Sequence, residues 1–199
     1  MPLPIVITGG PCGGKTTIIA WLARRLRRKG FKVVLIPEAA RLAISVLGPP
    51  RTAREKFELQ TLIVRMQLAM EDAAMALART QTVLIEDRGI LDAKAYLPPT
   101  QWRVLRRRLG LTEAGLRRRY AAVIHLTSCA VDKPDCYQRD DQRHETVHAA
   151  RRIDRDIRKS WRGHAVRIEI DNRDKDLRRK REEVLRTVLR LEERLPPSD

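Results

Sequence analysis

The chain has 199 residues and a formal net charge of +16, from 41 Lys and Arg against 25 Asp and Glu. This length fits a single domain with a sizeable core. The sequence contains no apolar run long enough to cross a membrane and no export-signal pattern, so we expect a cytoplasmic protein without a membrane span. The three cysteines (Cys12, Cys129 and Cys136) lack zinc-site spacing and are expected to be reduced thiols.

Most of the basic residues are arginines, which leaves two interpretations open. The excess either reflects codon bias or serves a polyanionic partner such as an acidic lipid surface, an acidic protein or RNA. Aromatic residues make up only 4% of the chain, so stacking on bases is poorly supplied and RNA is the weaker choice.

The first predicted strand, Pro4–Ile7, runs directly into a glycine-rich loop and a helix that extends to about Lys29. Gly9, Gly14, Lys15 and Thr16 fill the pattern G-x-x-x-x-G-K-[ST] of a phosphate-binding loop. The glycines let backbone N–H groups face phosphate oxygens, the lysine reaches the β- and γ-phosphates, and the threonine hydroxyl ligates Mg²⁺. We therefore expect ATP or GTP to contact Gly9, Gly10, Cys12, Gly13, Gly14, Lys15, Thr16 and Thr17.

A second buried strand is predicted over Phe31–Ile36, followed at once by Glu38 and Arg41. Ligands of open α/β sheets bind beyond the carboxyl ends of the strands, so both side chains should lie near the site. Glu38 is our candidate general base, and with Arg41 it should contact the substrate. The alternative is that Glu38 only stabilises the start of a helix.

After a break at Gly48-Pro49-Pro50, residues 52–79 predict a long helix with a broad apolar stripe. A third strand, Thr82–Glu86, leads into Asp87 and Arg88. Asp87 is placed to bind the metal or to accept a proton, and Arg88 is placed to contact phosphates and the acceptor. Glu86 should point to the opposite face of the sheet.

Residues 90–120 predict short helices broken at Pro98-Pro99 and Gly110, with arginines on a solvated face. The fourth strand, Ala121–Thr127, carries His125 within an apolar run. We interpret His125 as a hydrogen-bonded core residue rather than a catalytic base.

The polar stretch over about residues 128–150 is a candidate lid that closes over the nucleotide. Arg139 and Arg143 are the first candidates to offset charge on the transferring phosphoryl group, and Arg151 is the third. An ordinary surface loop is the alternative for each arginine.

The fifth strand, Ala165–Ile170, ends at Asp171 and Asn172, which are placed to touch the nucleotide base. A charged helix follows from Lys175 to about Arg194, with Leu177 and Val184 on its buried side. The alternation of strands and helices predicts an α/β fold in three layers, a five-stranded parallel sheet with helices on both faces.

Several stretches resemble the kinase-like P-loop NTPases often filed as AAA-type ATP/GTP-binding domains. They are Ile7–Thr17, Pro37–Arg41, Glu86–Gly89, Arg119–Leu126, Arg143 with Glu145, Trp161–His164 and Ile170–Asn172. This group includes the nucleotide-binding half of proteins fused to a CYTH (triphosphate tunnel) domain and a TRP-channel trafficking protein. More distantly, the chain is similar to ribosylnicotinamide kinases, in which a carboxylate after the second strand handles the acceptor.

The resemblance implies nucleotide and Mg²⁺ binding in a kinase-like fold. The trafficking relative implies GTP and acidic-lipid binding, but no N-K-x-D guanine signature is present. Two functions follow as hypotheses. One is a small phosphotransferase that acts on a hydroxyl-bearing acceptor. The other is a nucleotide-operated NTPase or switch that engages acidic lipid, a protein or RNA through its arginine-rich surface.

Overall fold

The computed structural model describes residues 1–133, 146–173 and 176–193. The strands of the sheet are β1 (Leu3–Thr8), β2 (Lys32–Ile36), β3 (Thr82–Asp87), β4 (Ala122–Leu126) and β5 (Arg167–Ile170). The helices are α1 (Lys15–Arg28), α2 (Ala39–Leu47), α3 (Ala53–Leu77), a 3₁₀ helix (Ile90–Tyr96), α4 (Pro99–Arg108), α5 (Glu113–Arg118), α6 (Cys129–Asp132), α7 (Val147–Ser160) and α8 (Leu177–Glu192).

All five strands are parallel, in the order β2-β3-β1-β4-β5. Apolar side chains alternate along β1 because successive residues face opposite sides of the sheet. Ile5 and Ile7 pack with α1 and α8, whereas Val6 packs with α3, the 3₁₀ helix and α7. The predicted fold class, a five-stranded parallel sheet covered on both faces, is confirmed.

The second strand differs from the prediction. Phe31 precedes β2, and within the strand only Ile36 is fully buried. The strand lies at the edge of the sheet. A strand in the centre of a parallel sheet would be covered on both faces. An apolar run alone cannot distinguish an edge strand from a central one.

The long helix also differs in what it buries. Its inward face includes Gln67 and Glu71, whereas Leu77 is 84% exposed. The helix begins with a capping box in which the Thr52 hydroxyl accepts from the Glu55 N–H and the Glu55 carboxylate accepts from the Thr52 N–H. The buried Gln67 donates to Glu86, a polar side chain of β3.

The last helix buries Val184 as predicted, together with Val188, but Leu177 is 45% exposed. Lys180 is buried in its place, 2% exposed. Among the described residues, no helix has both the length and the apolar character needed to span a membrane.

Candidate functional site

The loop between β1 and α1 is packed against the end of β4. Gly9 has φ +138°, and a Cβ added there would lie 2.0 Å from the carbonyl oxygen of Leu126. Gly14, which directly precedes α1, has φ +80°. The sequence therefore places glycine where the backbone enters the left-handed region and where another strand leaves no room for a side chain.

Three consecutive carbonyl groups of this loop are turned away from its concave side. The Pro11 carbonyl accepts from the Ser128 hydroxyl, and the Cys12 carbonyl accepts from the Cys129 N–H at 3.3 Å. The Gly13 carbonyl accepts from the Lys180 ammonium group at 3.0 Å. Every peptide bond in the described residues is trans, so the N–H of each following residue points the opposite way. This arrangement forms a nest of N–H groups suited to an anion.

The peptide between Gly9 and Gly10 is held at both ends. Its carbonyl accepts from Lys15 Nζ at 2.9 Å and from Arg88 Nη1 at 3.3 Å. Its N–H donates to Asp154 Oδ1 at 2.9 Å. Lys15 also donates to the Gly10 carbonyl at 2.8 Å. The loop is therefore held in a defined conformation by side chains from three separate elements.

Asp154 connects α7 to the loop. Its Oδ1 accepts from the N–H groups of Gly10 and Ser128 and faces His125 Nε2 at 3.2 Å. Burial would raise the pKa of Asp154, but His125 and the two N–H groups outweigh burial and hold it below its usual value. His125 is 1% exposed, which confirms its interpretation as a hydrogen-bonded core residue.

Lys15 is surrounded by charged side chains of both signs. Removal from water, and secondarily the Arg88 charge, lower the pKa of Lys15 to about 7, although Glu38, Asp87 and Asp92 act in the opposite direction. A triphosphate tail would add negative charge beside the ammonium group and favour its protonated form. Binding of an anion at the loop and protonation of Lys15 would therefore favour each other.

Arg88 joins the end of β3 to the loop. Its φ is +73°, and its Nε donates to Glu38 Oε1 at 2.5 Å. Its Nη1 reaches Asp92 Oδ2 at 3.4 Å. Asp92 is 3% exposed and also accepts from the Thr8 hydroxyl at 2.5 Å and from the Trp161 indole at 2.6 Å. This network fixes the guanidinium group beside the phosphate loop.

Asp87 has an unsatisfied oxygen. Its Oδ1 is buried and has no hydrogen-bond partner among the described residues. Burial, and then the Glu38 charge, raise the pKa of Asp87. An unpaired carboxylate oxygen is the donor type that Mg²⁺ requires, and the exposed Thr16 hydroxyl at the start of α1 is a second oxygen donor. Both residues fit a magnesium site.

The remaining predicted site residues differ in exposure and in their contacts. Thr17 is exposed on α1, and the Arg41 side chain is 59% exposed, with Nη2 at 3.8 Å from Glu38 Oε2. Arg151 Nε donates to the Ala130 carbonyl at 2.5 Å. Arg139 and Arg143 lie outside the described residues.

Asn172, which was predicted to contact the nucleotide base, uses its side-chain amide for contacts within the protein. Its side-chain N–H₂ donates to the Thr127 carbonyl and to Asp132, and its Oδ1 accepts from Lys180 at 2.7 Å. The amide is thus engaged within the protein. Asp171 accepts from Arg173 at 2.9 Å and remains a predicted base contact.

Residues 134–145 of the predicted lid lie outside the described residues. Ser128 and Ala130 are fully buried, the Ser128 hydroxyl donates to the Pro11 carbonyl of the phosphate loop, and α7 begins at Val147. The first residues of the predicted lid therefore belong to the support of the phosphate loop. Ser128 is held in this position because its hydroxyl also caps α6, by accepting from the Ala130 N–H.

Glu86 interacts with Gln67 and Glu71, whereas Asp87 interacts with Glu38 and Lys15, so the two side chains have separate surroundings, as predicted from strand alternation. It is buried with Glu71, and the Gln67 amide bridges the two carboxyl groups at 3.3 and 3.1 Å. Burial, and then Glu71, raise the pKa of Glu86. At neutral pH the pair therefore holds a proton.

A Glu86→Gln variant should keep its stability within about 1 kcal/mol at pH 7, because glutamine resembles the protonated acid. A carboxyl with a raised folded-state pKa contributes most below its unfolded pKa and loses that contribution as the pH rises. Urea unfolding at pH 5 and pH 9 should therefore show the variant gaining relative to the parent at the higher pH. A relative loss at pH 9 would contradict the raised pKa of Glu86.

Within the described part of the chain, four buried charged residues were not identified from the sequence: Glu71, Asp92, Asp154 and Lys180. Two of them do carry a signal. Asp154 lies between Ala150 and Ile157 on the buried face of α7, and Lys180 lies four residues before Val184. A charged residue at a core position of a helix indicates a buried partner.

The comparisons with known proteins agree with this geometry. A family model described as an AAA domain matches residues 4–180, which include β1 to β5, the phosphate loop and Lys180. No curated protein was found to match the chain. Because the matched region spans most of the chain and contains the phosphate-binding loop, the chain belongs to this AAA domain family of P-loop nucleotide-binding proteins.

Proposed function

We propose that the protein is a Mg²⁺-dependent phosphotransferase of the kinase type. It binds ATP or GTP and transfers the γ-phosphoryl group to a small hydroxyl-bearing acceptor. The observation that carries the proposal is the pair of carboxylates Glu38 and Asp87, which follow or end the neighbouring strands β2 and β3 beside Lys15. Beyond the carboxylate that fits Mg²⁺, this pair supplies a second acidic group for an acceptor hydroxyl.

The phosphate tail lies in the nest formed by the loop, with Lys15 as its nearest positive charge. Thr16 and Asp87 hold Mg²⁺, which when bound screens the negative charge of the phosphates. Arg88, fixed by Glu38 and Asp92, directs its guanidinium group at the same region and binds phosphate oxygens. The chain supplies position and charge, which are the main requirements of phosphoryl transfer.

Glu38 orients the acceptor. Its Oε1 is occupied by Arg88, whereas Oε2 is 3.8 Å from Arg41, beyond hydrogen-bond distance. Burial would raise the pKa of Glu38, but Arg88 and Lys15 outweigh burial and hold it below its usual value, so the carboxylate is ionised. An acceptor hydroxyl donates to Oε2, so Glu38 is the candidate general base, and Asp87 would hold Mg²⁺.

The test is a panel of hydroxyl-bearing metabolites, including nucleosides, sugars and polyols, assayed with ATP and GTP. Nucleotide turnover should rise when the correct acceptor class is added, and the phosphorylated product should appear in equal amount. A panel in which no class raises turnover above the basal rate would count against a kinase.

An Asp87→Asn variant should turn over nucleotide about 30-fold more slowly, because asparagine keeps the size of the side chain but loses the negative charge that would hold Mg²⁺. Nucleotide affinity measured without Mg²⁺ should change by less than about threefold. Glu58→Gln is a matched control, since Glu58 is an exposed carboxylate on α3 that pairs with Arg108. Equal turnover by Asp87→Asn and the control would remove Asp87 from the mechanism.

The second candidate is a nucleotide-operated switch. The observation that favours it is the exposed basic surface at the end of α1, where Arg24, Arg25, Arg27 and Arg28 occur with no acidic residue in the helix. Sedimentation with anionic vesicles and with RNA, with and without nucleotide, distinguishes the candidates. The switch requires binding that changes when nucleotide is added.

A further inference from the structure

Lys180 lies directly beneath the phosphate loop, although it is far from the loop in sequence. Its side chain is buried, and Nζ donates to the carbonyls of Gly13 and Thr127, each at 3.0 Å, and to Asn172 Oδ1 at 2.7 Å. All three acceptors are neutral oxygens. Lysine thus uses its three donors to join the loop, the end of β4 and the segment after β5.

Burying this charge has an energetic cost. Burial lowers the pKa of Lys180 to about 8, and the nearby Cys129, Asp132, Asp154 and Asp171 offset only part of that effect. The side chain therefore remains mostly protonated at pH 7. Among the described residues no carboxylate bonds directly to Lys180, an uncommon situation for a buried ammonium group because removal from water disfavours the charged form. A bound triphosphate would supply the missing negative charge.

The contact with Gly13 has a geometric consequence. The peptide bond between Gly13 and Gly14 is planar and trans, so its N–H and C=O groups point in opposite directions. Lys180 holds the carbonyl outward and so directs the Gly14 N–H into the concave side of the loop. Because Gly14 directly precedes α1, this N–H belongs to the positive end of the helix.

We propose that Lys180 is a positioning residue of the phosphate loop, which fixes the Gly13–Gly14 peptide with its N–H toward the bound phosphates and places a buried positive charge beneath them. The proposal rests on nucleotide binding at this loop. It adds a second lysine, from α8, to the one that the motif supplies.

A purely structural role makes a different prediction. If Lys180 only joined the ends of β4 and β5, its loss would lower the free energy of unfolding but leave phosphate affinity of the folded protein unchanged. The affinity of the folded protein for the phosphate tail therefore separates the two roles. Inorganic tripolyphosphate is the sharpest probe, because it lacks both base and sugar.

The experiment compares Lys180→Met with Arg178→Met, which removes the same charge from an exposed position of α8. Calorimetry at pH 7 would measure binding of Mg-ATP, Mg-GTP and tripolyphosphate, and urea unfolding would establish that each variant is folded. Lys180→Met should bind all three ligands about 20-fold more weakly, while Arg178→Met should stay within about twofold of the parent. Lys180→Arg, which keeps charge and donors, should recover most of the loss.

Unchanged affinity in folded Lys180→Met, or an equal loss in Arg178→Met, would overturn the proposal. If the methionine variant fails to fold, Lys180→Gln against Lys180→Arg makes the same comparison, and equal affinities would again overturn it. Failure of the parent protein to bind any of the three ligands would instead refute the proposed function. The two failures are therefore distinguishable.

Discussion

A Lys15→Ala variant should bind Mg-ATP and Mg-GTP about 100-fold more weakly than the parent, a loss of about 2.7 kcal/mol. Lys15 Nζ lies on the carbonyls of Gly9 and Gly10, at the mouth of the N–H nest. A bound phosphate tail would gain a charge-assisted hydrogen bond from this ammonium group, and alanine supplies neither charge nor donor.

The pH dependence of binding tests the same assignment. The pKa of Lys15 is lowered to about 7 in the ligand-free protein, and a bound triphosphate should raise it. Binding above pH 7 therefore takes up a proton at Lys15, so affinity should fall as the pH rises from 7 to 9. Lys15→Ala should show a shallower fall, and calorimetry in buffers of different ionisation enthalpy would measure the reduced proton uptake.

Lys29→Ala is a suitable control, because Lys29 is an exposed lysine just beyond the far end of α1. It should bind nucleotide within about twofold of the parent and keep the parent's pH profile. If Lys15→Ala also matched the parent in both respects, the triphosphate would have to bind elsewhere.

The phosphate loop could be predicted from sequence because its ligand-facing groups are local. Gly9, Gly14 and Lys15 are contiguous with the strand and helix that orient them, so their spacing carries the geometry. The same reasoning placed Asp87 and Arg88, since they end or follow a strand whose carboxyl end lies beside β1. Parallel strands bring these ends together without further information.

The support of the loop could not be predicted in this way. Asp154 and Lys180 lie more than 140 residues beyond the loop residues that they bind, and no local pattern encodes that contact. The same applies to Asn172, whose polar loop position suggested a base contact but whose amide is engaged by neighbours from two other elements. Side-chain partners across a sheet depend on tertiary packing, which cannot be inferred from local sequence patterns.

Asp92→Ala should be the most destabilising of the substitutions considered, lowering the free energy of unfolding by about 3 to 5 kcal/mol. The buried carboxylate accepts from Thr8 Oγ1, Trp161 Nε1 and Arg88 Nη1. Alanine leaves the hydroxyl and indole donors without their acceptor, and the guanidinium group loses one of its two carboxylate partners. Each unsatisfied buried donor costs about 1 to 3 kcal/mol.

Urea unfolding followed by circular dichroism and by tryptophan emission would measure this loss. The matched control is Glu58→Ala, which breaks an exposed ion pair with Arg108 and should cost less than about 1 kcal/mol. If the two variants lost equal stability, the buried hydrogen bonds of Asp92 would not stabilise the fold more than an exposed ion pair does. The expected difference follows from burial: water replaces a lost partner at Glu58, but it cannot reach the Thr8 hydroxyl and the Trp161 indole without opening the packing of Trp161 against Gly89.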